Sequence, residues 1–455
     1  MTVLGPIQVQ QGQDPTTKLG HVFMNEHLVC DPKRKRTKSD SITTNDTYIT
    51  LHNLSRIRSN PFQSEVNMTL SSMNELLDEF QLLQEADDGS GKKLVGTMLD
   101  VTTTHEGRDP ISCQKVSKQL GINVVIGTTP QATDDLDNVK TMEEDISYME
   151  KELMYGLDGY DGEADDGNDK NDNNANIIRA GFIGEITVQV DVGGQSASSS
   201  SNTARATLSS SEVYQIKACC MVSATTSAPV IIGLSPNRSE GRQQQQQRQP
   251  NNKHIVLQIL DVVESCGCSL SNIILSHIDI YHYDIQLLQY VLDKGVNLGF
   301  DSYSLTYAIH DCEDIYPSLI QVVNCICTLL EHDPQYAKQI VLSCGLRMKL
   351  QYTKYGGLGY NVLYQHLLPK LRLKLSKCII SGSVEGILDT ILIHIPHKLL
   401  QWWKEPPPKV KPKVYMNCSI CNNPFEPIEG TYYSKYTFVY CSRPCLLTHV
   451  QRNFK

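Results

Sequence analysis

The sequence predicts an α/β chain: a parallel (β/α)8 barrel followed by a small metal-binding module. Three observations carry this. Short apolar strands recur near residues 22, 97, 124, 183, 231, 274, 298 and 341, and helical segments fit between most of them. Alternation of that kind builds a parallel sheet, and eight units close one into a barrel. A proline- and lysine-rich stretch, Glu405 to Lys413, then separates off the last forty residues. Those residues carry Cys418, Cys421, Cys441 and Cys445 at metal-ligand spacing.

Composition narrows the class. At 455 residues the chain suits one large barrel with an extra module. It is 40% hydrophobic and 20% charged, as soluble globular proteins are. A formal net charge of −9 excludes nucleic-acid binding by overall charge. Of 15 cysteines, the eleven outside the C-terminal quartet are scattered and read as buried free thiols. Residues 1–18 show no secretory signal, and no run reaches the roughly 18 apolar residues of a membrane helix. The expectation is a reducing, cytoplasmic setting. The basic run 32–38 is compatible with nuclear entry, or with an ordinary solvated loop.

In order, Leu19 to Leu28 reads as the first strand. Leu76, Leu77, Phe80 and Leu83 fall at helical spacing over 73–85. A strand over 94–101, a helix over 110–120 and a strand over 123–127 follow, then a helix over 134–155. Three low-complexity inserts, 158–176, 195–211 and 239–252, lie between strands, where loop growth costs little. Between them come the strands 180–186 and 229–233 and a helix over 212–223. The helix 255–266, strand 272–277, strand 296–300, helix 317–331 and strand 339–343 complete the barrel. Helices continue to about 400. The domain reading is a barrel over 1–400, a stiff linker over 401–414 and a cysteine finger over 415–455.

Asn25 and His27 share one face of the first strand by simple alternation, with His21 on the same face but about 20 Å deeper. Gly20 to Leu28, Asp100-Val101-Thr102-Thr103 with Gly107-Arg108-Asp109, Gly181 to Ile186, Ser276-His277 with Asp279, and Lys354 to Tyr360 occur in one order. Together they make residues 1–400 resemble the phosphotriesterase-related branch of the amidohydrolase superfamily. The resemblance implies two divalent metals at the barrel mouth and hydrolysis of a phosphoester, lactone or amide. Two cations lower the pKa of a shared water and clamp the reacting oxygens.

By that resemblance, His27, Glu185 and His277 fit three ligand positions. Asn25 stands for the first histidine of a His-x-His pair, Gly233 for the strand-five histidine and Gly345 for the strand-eight aspartate. Half of the six-ligand set is gone, and the proton-shuttling aspartate with it. The two glycines are expected to leave volume for the missing side chains. His105, His282 and His310 are candidate substitutes, and a mononuclear zinc site on His27, Glu185 and His277 is the alternative. The loop with Tyr355, Gly356, Gly357, Gly359 and Tyr360 is expected to border a substrate pocket.

The finger spacing Cys-x2-Cys-x19-Cys-x3-Cys, with Tyr440-Cys441-Ser442-x2-Cys445-Leu446, resembles MYM-type or TRASH-like treble clefs. Four thiolates close a zinc shell, and a unit this small has little core without the ion. A helix is expected over 441–452, with His449 beside the site rather than in it. Tyr432, Tyr433, Tyr436 and Tyr440 are expected to form the small core. Lys409, Lys411, Lys413, Lys435, Arg443, Arg452 and Lys455 make this end basic. A protein partner ranks above nucleic acid, and no membrane is implied. The two functional readings are a weakly catalytic or non-catalytic barrel with an interaction finger, and a working metal-dependent hydrolase with a rearranged site.

Overall fold

The computed structural model describes residues 2, 19–31, 46–85, 95–131, 140–157, 177–190, 207–236, 254–310, 315–378, 382–402, 416–425, 427 and 432–452. The chain divides into two compact units, Met1–Lys404 and Glu405–Lys455. The basic run 32–38, the inserts 158–176 and 239–252 and most of the linker lie outside the described residues.

The first unit is a parallel eight-stranded sheet in the order β1 to β8. Its strands are β1 His21–Glu26, β2 Val95–Asp100, β3 Asn123–Thr128, β4 Phe182–Val190, β5 Val230–Pro236, β6 Ile273–Ser276, β7 Asn297–Phe300 and β8 Ile340–Leu342. Between them run α1 Met73–Glu85, α2 Pro110–Leu120, α3 Met142–Met154, α4 Ser210–Thr226, α5 Ile255–Ser265, α6 Ile285–Asp293 and α7 Leu319–His332. Most strands split their apolar residues between two cores, while Leu298 and Phe300 of β7 both join the outer one. Val22, Met24, Leu99, Val125, Ile231, Ile274 and Val341 fill the barrel, plugged by Ile395 and Leu399 from the last helix. Phe23, Met98, Val124 and Ile232 join the larger core of the surrounding shell.

The seam between β8 and β1 is closed largely by side chains. Asn25 N donates to Ser343 Oγ at 2.9 Å, and His27 N to Leu346 O at 2.8 Å. The buried Glu26 carboxylate accepts from Ser343 Oγ at 2.7 Å and from the amides of Cys344, Gly345 and Leu346 at 2.7, 3.2 and 2.9 Å.

Helix starts follow local chemistry. Asp109 caps α2, while Thr141 with Glu144 and Ser209 with Glu212 form capping boxes on α3 and α4. The Ser209 box orders the end of the expected 195–211 insert, and β4 runs on to Val190, past the strand end expected at 186. Helix α3 begins at Met142, and residues 134–139 of the expected helix lie outside the described residues. Trp402, read as linker, is buried and donates from Nε1 to Gly181 O at 2.8 Å.

In the second unit, Met416–Asn417 pairs with Pro424–Phe425, and Tyr433–Lys435 with Phe438–Tyr440. A helix, Arg443–Gln451, follows, starting two residues later than expected. Of the four tyrosines, Tyr440 is fully buried, whereas Tyr433 and Tyr436 are 40% and 79% exposed, so the core reading fails for those two.

Candidate functional site

Two extra residues in the sheet shape the barrel mouth. Phe23 pairs with Met98 and Glu26 with Asp100, so β1 spends three residues where β2 spends two. Between Ile183 and Ile186, β4 likewise has one residue more than β5, whose partners are Val230 and Ile232. A bulge of this kind re-aims the side chains beyond it. Met24 faces the barrel, and so does the next residue: Asn25 reaches across it, donating from Nδ2 to Glu185 Oε1 at 2.8 Å and to Ser276 Oγ at 2.5 Å. The same slip corrects the reading of His21. It points outward, stacking on Tyr364 with Nδ1 3.0 Å from the tyrosine hydroxyl.

Around Asn25 lies a continuous polar network. Glu185 Oε1 is 3.5 Å from His277 Nε2, and Asp301 Oδ1 is 2.7 Å from His277 Nδ1. Asp301 also accepts from His277 N at 2.7 Å and from Ser276 Oγ. His27 Nδ1 lies 3.1 Å from Thr102 Oγ1.

The electrostatics follow from these contacts. Burial lowers the His277 pKa, but Asp301 and Glu185 outweigh it and raise the imidazole to about 9. Burial drives His27 the other way, down to about 4, with Glu106 opposing and Arg347 and His277 assisting. Burial raises the Glu185 carboxyl despite His277 and Arg347. Burial also raises Glu26 to about 8, against its four hydrogen bonds. Asp279 rises to about 7, by burial and by the neighbouring Asp301.

Glu185 and His277 meet at the mouth, whereas His27 is hydrogen-bonded to Thr102 and reaches His277 only through its charge. Among the described residues, the group of three or more His, Cys, Asp or Glu with ligand atoms mutually within 4.8 Å is the cysteine quartet. The expected vacant volume is filled. A β-carbon on Gly233 would lie 2.3 Å from Glu185 Oε1. At Gly345, where φ is +61°, a β-carbon would lie 2.0 Å from Asp301 O. As the chain is placed, neither position 233 nor position 345 has room for a ligand side chain.

The other candidates are placed elsewhere. His282 Nδ1 lies 3.1 Å from Asp279 O, and the exposed His310 donates its amide to Arg58 O at 3.1 Å. His105 sits in the turn after β2. The Lys354–Tyr360 loop packs on α1. Tyr355 donates to Glu75 at 2.5 Å, Lys354 pairs with Glu75 at 3.0 Å, and Tyr360 is buried against Phe80 and Phe23.

Sequence reasoning missed Ser276, Asp301, Ser343, Glu106 and Arg347. Asp301 carried a usable signal, being a carboxylate directly after a barrel strand. Ser343 and Arg347 act through loop geometry that spacing does not show.

In the finger, Cys418 starts a knuckle: its N donates to Asn423 O at 3.0 Å, and Asn422 N donates to Cys418 O at 2.9 Å. Cys421 and Cys441 sulfurs are 3.6 Å apart, and those of Cys441 and Cys445 3.9 Å. Four thiolates at about 2.3 Å from a tetrahedral zinc sit about 3.8 Å from one another. The quartet therefore fits zinc, which would act there as a structural cross-link. His449 stays outside the quartet, buried with Nδ1 2.9 Å from the Tyr440 hydroxyl and edge-on to Phe438.

Comparison with known proteins agrees with this architecture. Residues 5–400 match the model of the phosphotriesterase family, and residues 413–455 that of the Vms1-associating treble clef domain. Over 342 residues the chain is 26% identical to N-acetyltaurine hydrolase of Dictyostelium discoideum, covering 73% of this chain and 75% of that protein. It is 24% identical over 409 residues to N-acetyltaurine hydrolase of Homo sapiens, covering 87% and 98%. A resiniferatoxin-binding protein from Rhodobacter sphaeroides shares the fold at TM-score 0.64 and 23% identity, covering 88% and 94%. The phosphotriesterase homology protein of Escherichia coli does so at 0.55 and 18%, covering 84% and 99%.

Proposed function

The chain belongs to the phosphotriesterase family, and from that premise we propose that its barrel has lost most or all of the two-metal hydrolysis and serves as a recognition body joined to an interaction finger. The observation that carries this is the occupation of the ligand space. Glu185 fills the volume a side chain at position 233 would need, and its Oε1 is bound by Asn25. Asn25 offers an amide donor where an imidazole ligand is expected, and an amide is a far weaker ligand. Asp301 and Glu185 raise His277 to about 9, so a metal there would have to displace a proton.

The finger supplies the binding half of the proposal. Cys418, Cys421, Cys441 and Cys445 would hold one zinc and fix the small unit for a protein partner. The matching model is named for association with Vms1, which supports a protein over a nucleic acid. Among the described residues no helix is long and apolar enough to cross a membrane.

A second reading is favoured by the relatives: proteins named N-acetyltaurine hydrolase align over most of this chain. Under it, the barrel would hydrolyse an amide through His27, Glu185 and His277. Assaying purified full-length protein with N-acetyltaurine, with and without added zinc, separates the two. We expect no turnover above background. Turnover that His27→Ala abolishes would replace our reading with the second.

A further inference from the structure

We propose that the barrel mouth binds a small oxyanion (a carboxylate, sulfonate or phosphate group) through the guanidinium of Arg347. This rests on the reading above, in which the mouth holds no pair of metals. Arg347 follows β8, and its backbone is held in place: its N donates to Gln351 Oε1 at 2.9 Å, and Gln351 Nε2 donates to Gly345 O at 2.9 Å and Ser304 Oγ at 2.8 Å. The guanidinium lies over the Phe62 ring, 5.9 Å from its centroid. The neighbouring Leu346 O accepts from His27 N at 2.8 Å, which places this segment beside the mouth, and the Arg347 charge acts on His27, Glu106, Glu185 and His277.

Arg347 is the cation left over in this network. Its Nε is buried and has no hydrogen-bond acceptor. Among the described residues it forms no ion pair within 4.0 Å. The nearby acids are engaged elsewhere. Glu106 accepts from Thr103 N and Oγ1, both at 3.0 Å. Glu185 is held by Asn25, and Asp301 by Ser276 and His277. An arginine is charged at any working pH, and a buried donor without an acceptor is costly. A planar oxyanion matches its fork of donors in both shape and charge. The loss of metal ligands and the unspent guanidinium thus point the same way: the site has exchanged a preference for cations for one for anions.

The test is calorimetric titration of full-length protein, its metal content counted beforehand, with inorganic phosphate and with acetate at constant ionic strength. We expect saturable binding of at least one probe, weakened about tenfold or more in Arg347→Gln, as losing one charge-assisted contact implies. Arg347→Lys keeps the charge but not the fork, and should bind several-fold more weakly than wild type. Arg372→Gln, whose exposed partner is Glu385, should bind as wild type does. No saturable binding by the wild type, or undiminished affinity in Arg347→Gln, overturns the proposal. Should Arg347→Gln fail to fold, undiminished affinity in Arg347→Lys overturns it. Metal found in the barrel during the preliminary count would instead refute the reading beneath it, so the two failures are distinguishable.

Discussion

The Glu185 carboxylate occupies the space that a side chain on residue 233 would fill: a β-carbon built on Gly233 would stand 2.3 Å from Glu185 Oε1. The glycine and the inward carboxylate are one arrangement. The bulge between Ile183 and Ile186 aims Glu185 into the mouth, and the bare backbone of β5 leaves it room.

Putting ligands back should therefore harm the fold. Gly233→His must displace Glu185 from Asn25, and Gly345→Asp sets a side chain on a backbone with φ +61° and a carbonyl 2.0 Å from its β-carbon. Strained backbone and overpacking each cost about 1–3 kcal/mol. The triple variant Asn25→His, Gly233→His, Gly345→Asp should melt well below wild type and gain no barrel metal. A metal-loaded triple variant of wild-type stability would contradict this.

Asn25→Ala should be destabilising by about 1–3 kcal/mol, since it strips a donor from the buried Glu185 carboxyl. Chemical denaturation reads the loss. Asn25→Ala as stable as wild type would show that the Asn25–Glu185 bond contributes nothing.

Two buried groups set an alkaline limit. The His277 pKa is raised to about 9, so its contribution is complete below about pH 6.5 and lost as pH rises through about 9. Glu26 is raised from 4.5 to about 8, so its contribution is complete only below about pH 4.5 and is lost as pH rises from there through about 8. Stability should fall on the order of a few kcal/mol between pH 6.5 and 9.5. Asp301→Asn removes the main group raising His277 and should flatten that decline. A profile unchanged by Asp301→Asn would contradict the assignment.

Much of the barrel was legible because buried parallel strands read as apolar runs, and all eight lie where those runs predicted. The mouth was only half legible. His27 and His277 directly follow strands β1 and β6, whereas Glu185 lies inside β4, at its bulge. The bulges at Asn25 and Glu185 break that same periodicity, which is why His21 was turned the wrong way. The packing of the Lys354–Tyr360 loop on Glu75 was not legible, because it joins residues 279 and 280 apart in sequence. In the finger, spacing alone located the quartet, because four sulfurs around one ion leave few geometries.

Removing zinc should unfold the finger. Cys441→Ser, or a strong chelator, should abolish ordered structure around residues 416–452, read as loss of protection in amide exchange. Retained protection in the metal-free protein would show that the unit folds on its own core.

Metal stoichiometry tests the central claim most directly. After dialysis, full-length protein should retain one zinc per chain, and Cys418→Ser with Cys441→Ser should retain none. Two or three metals per chain in the full-length protein, with at least one surviving the cysteine substitutions, would place a metal in the barrel and contradict the account.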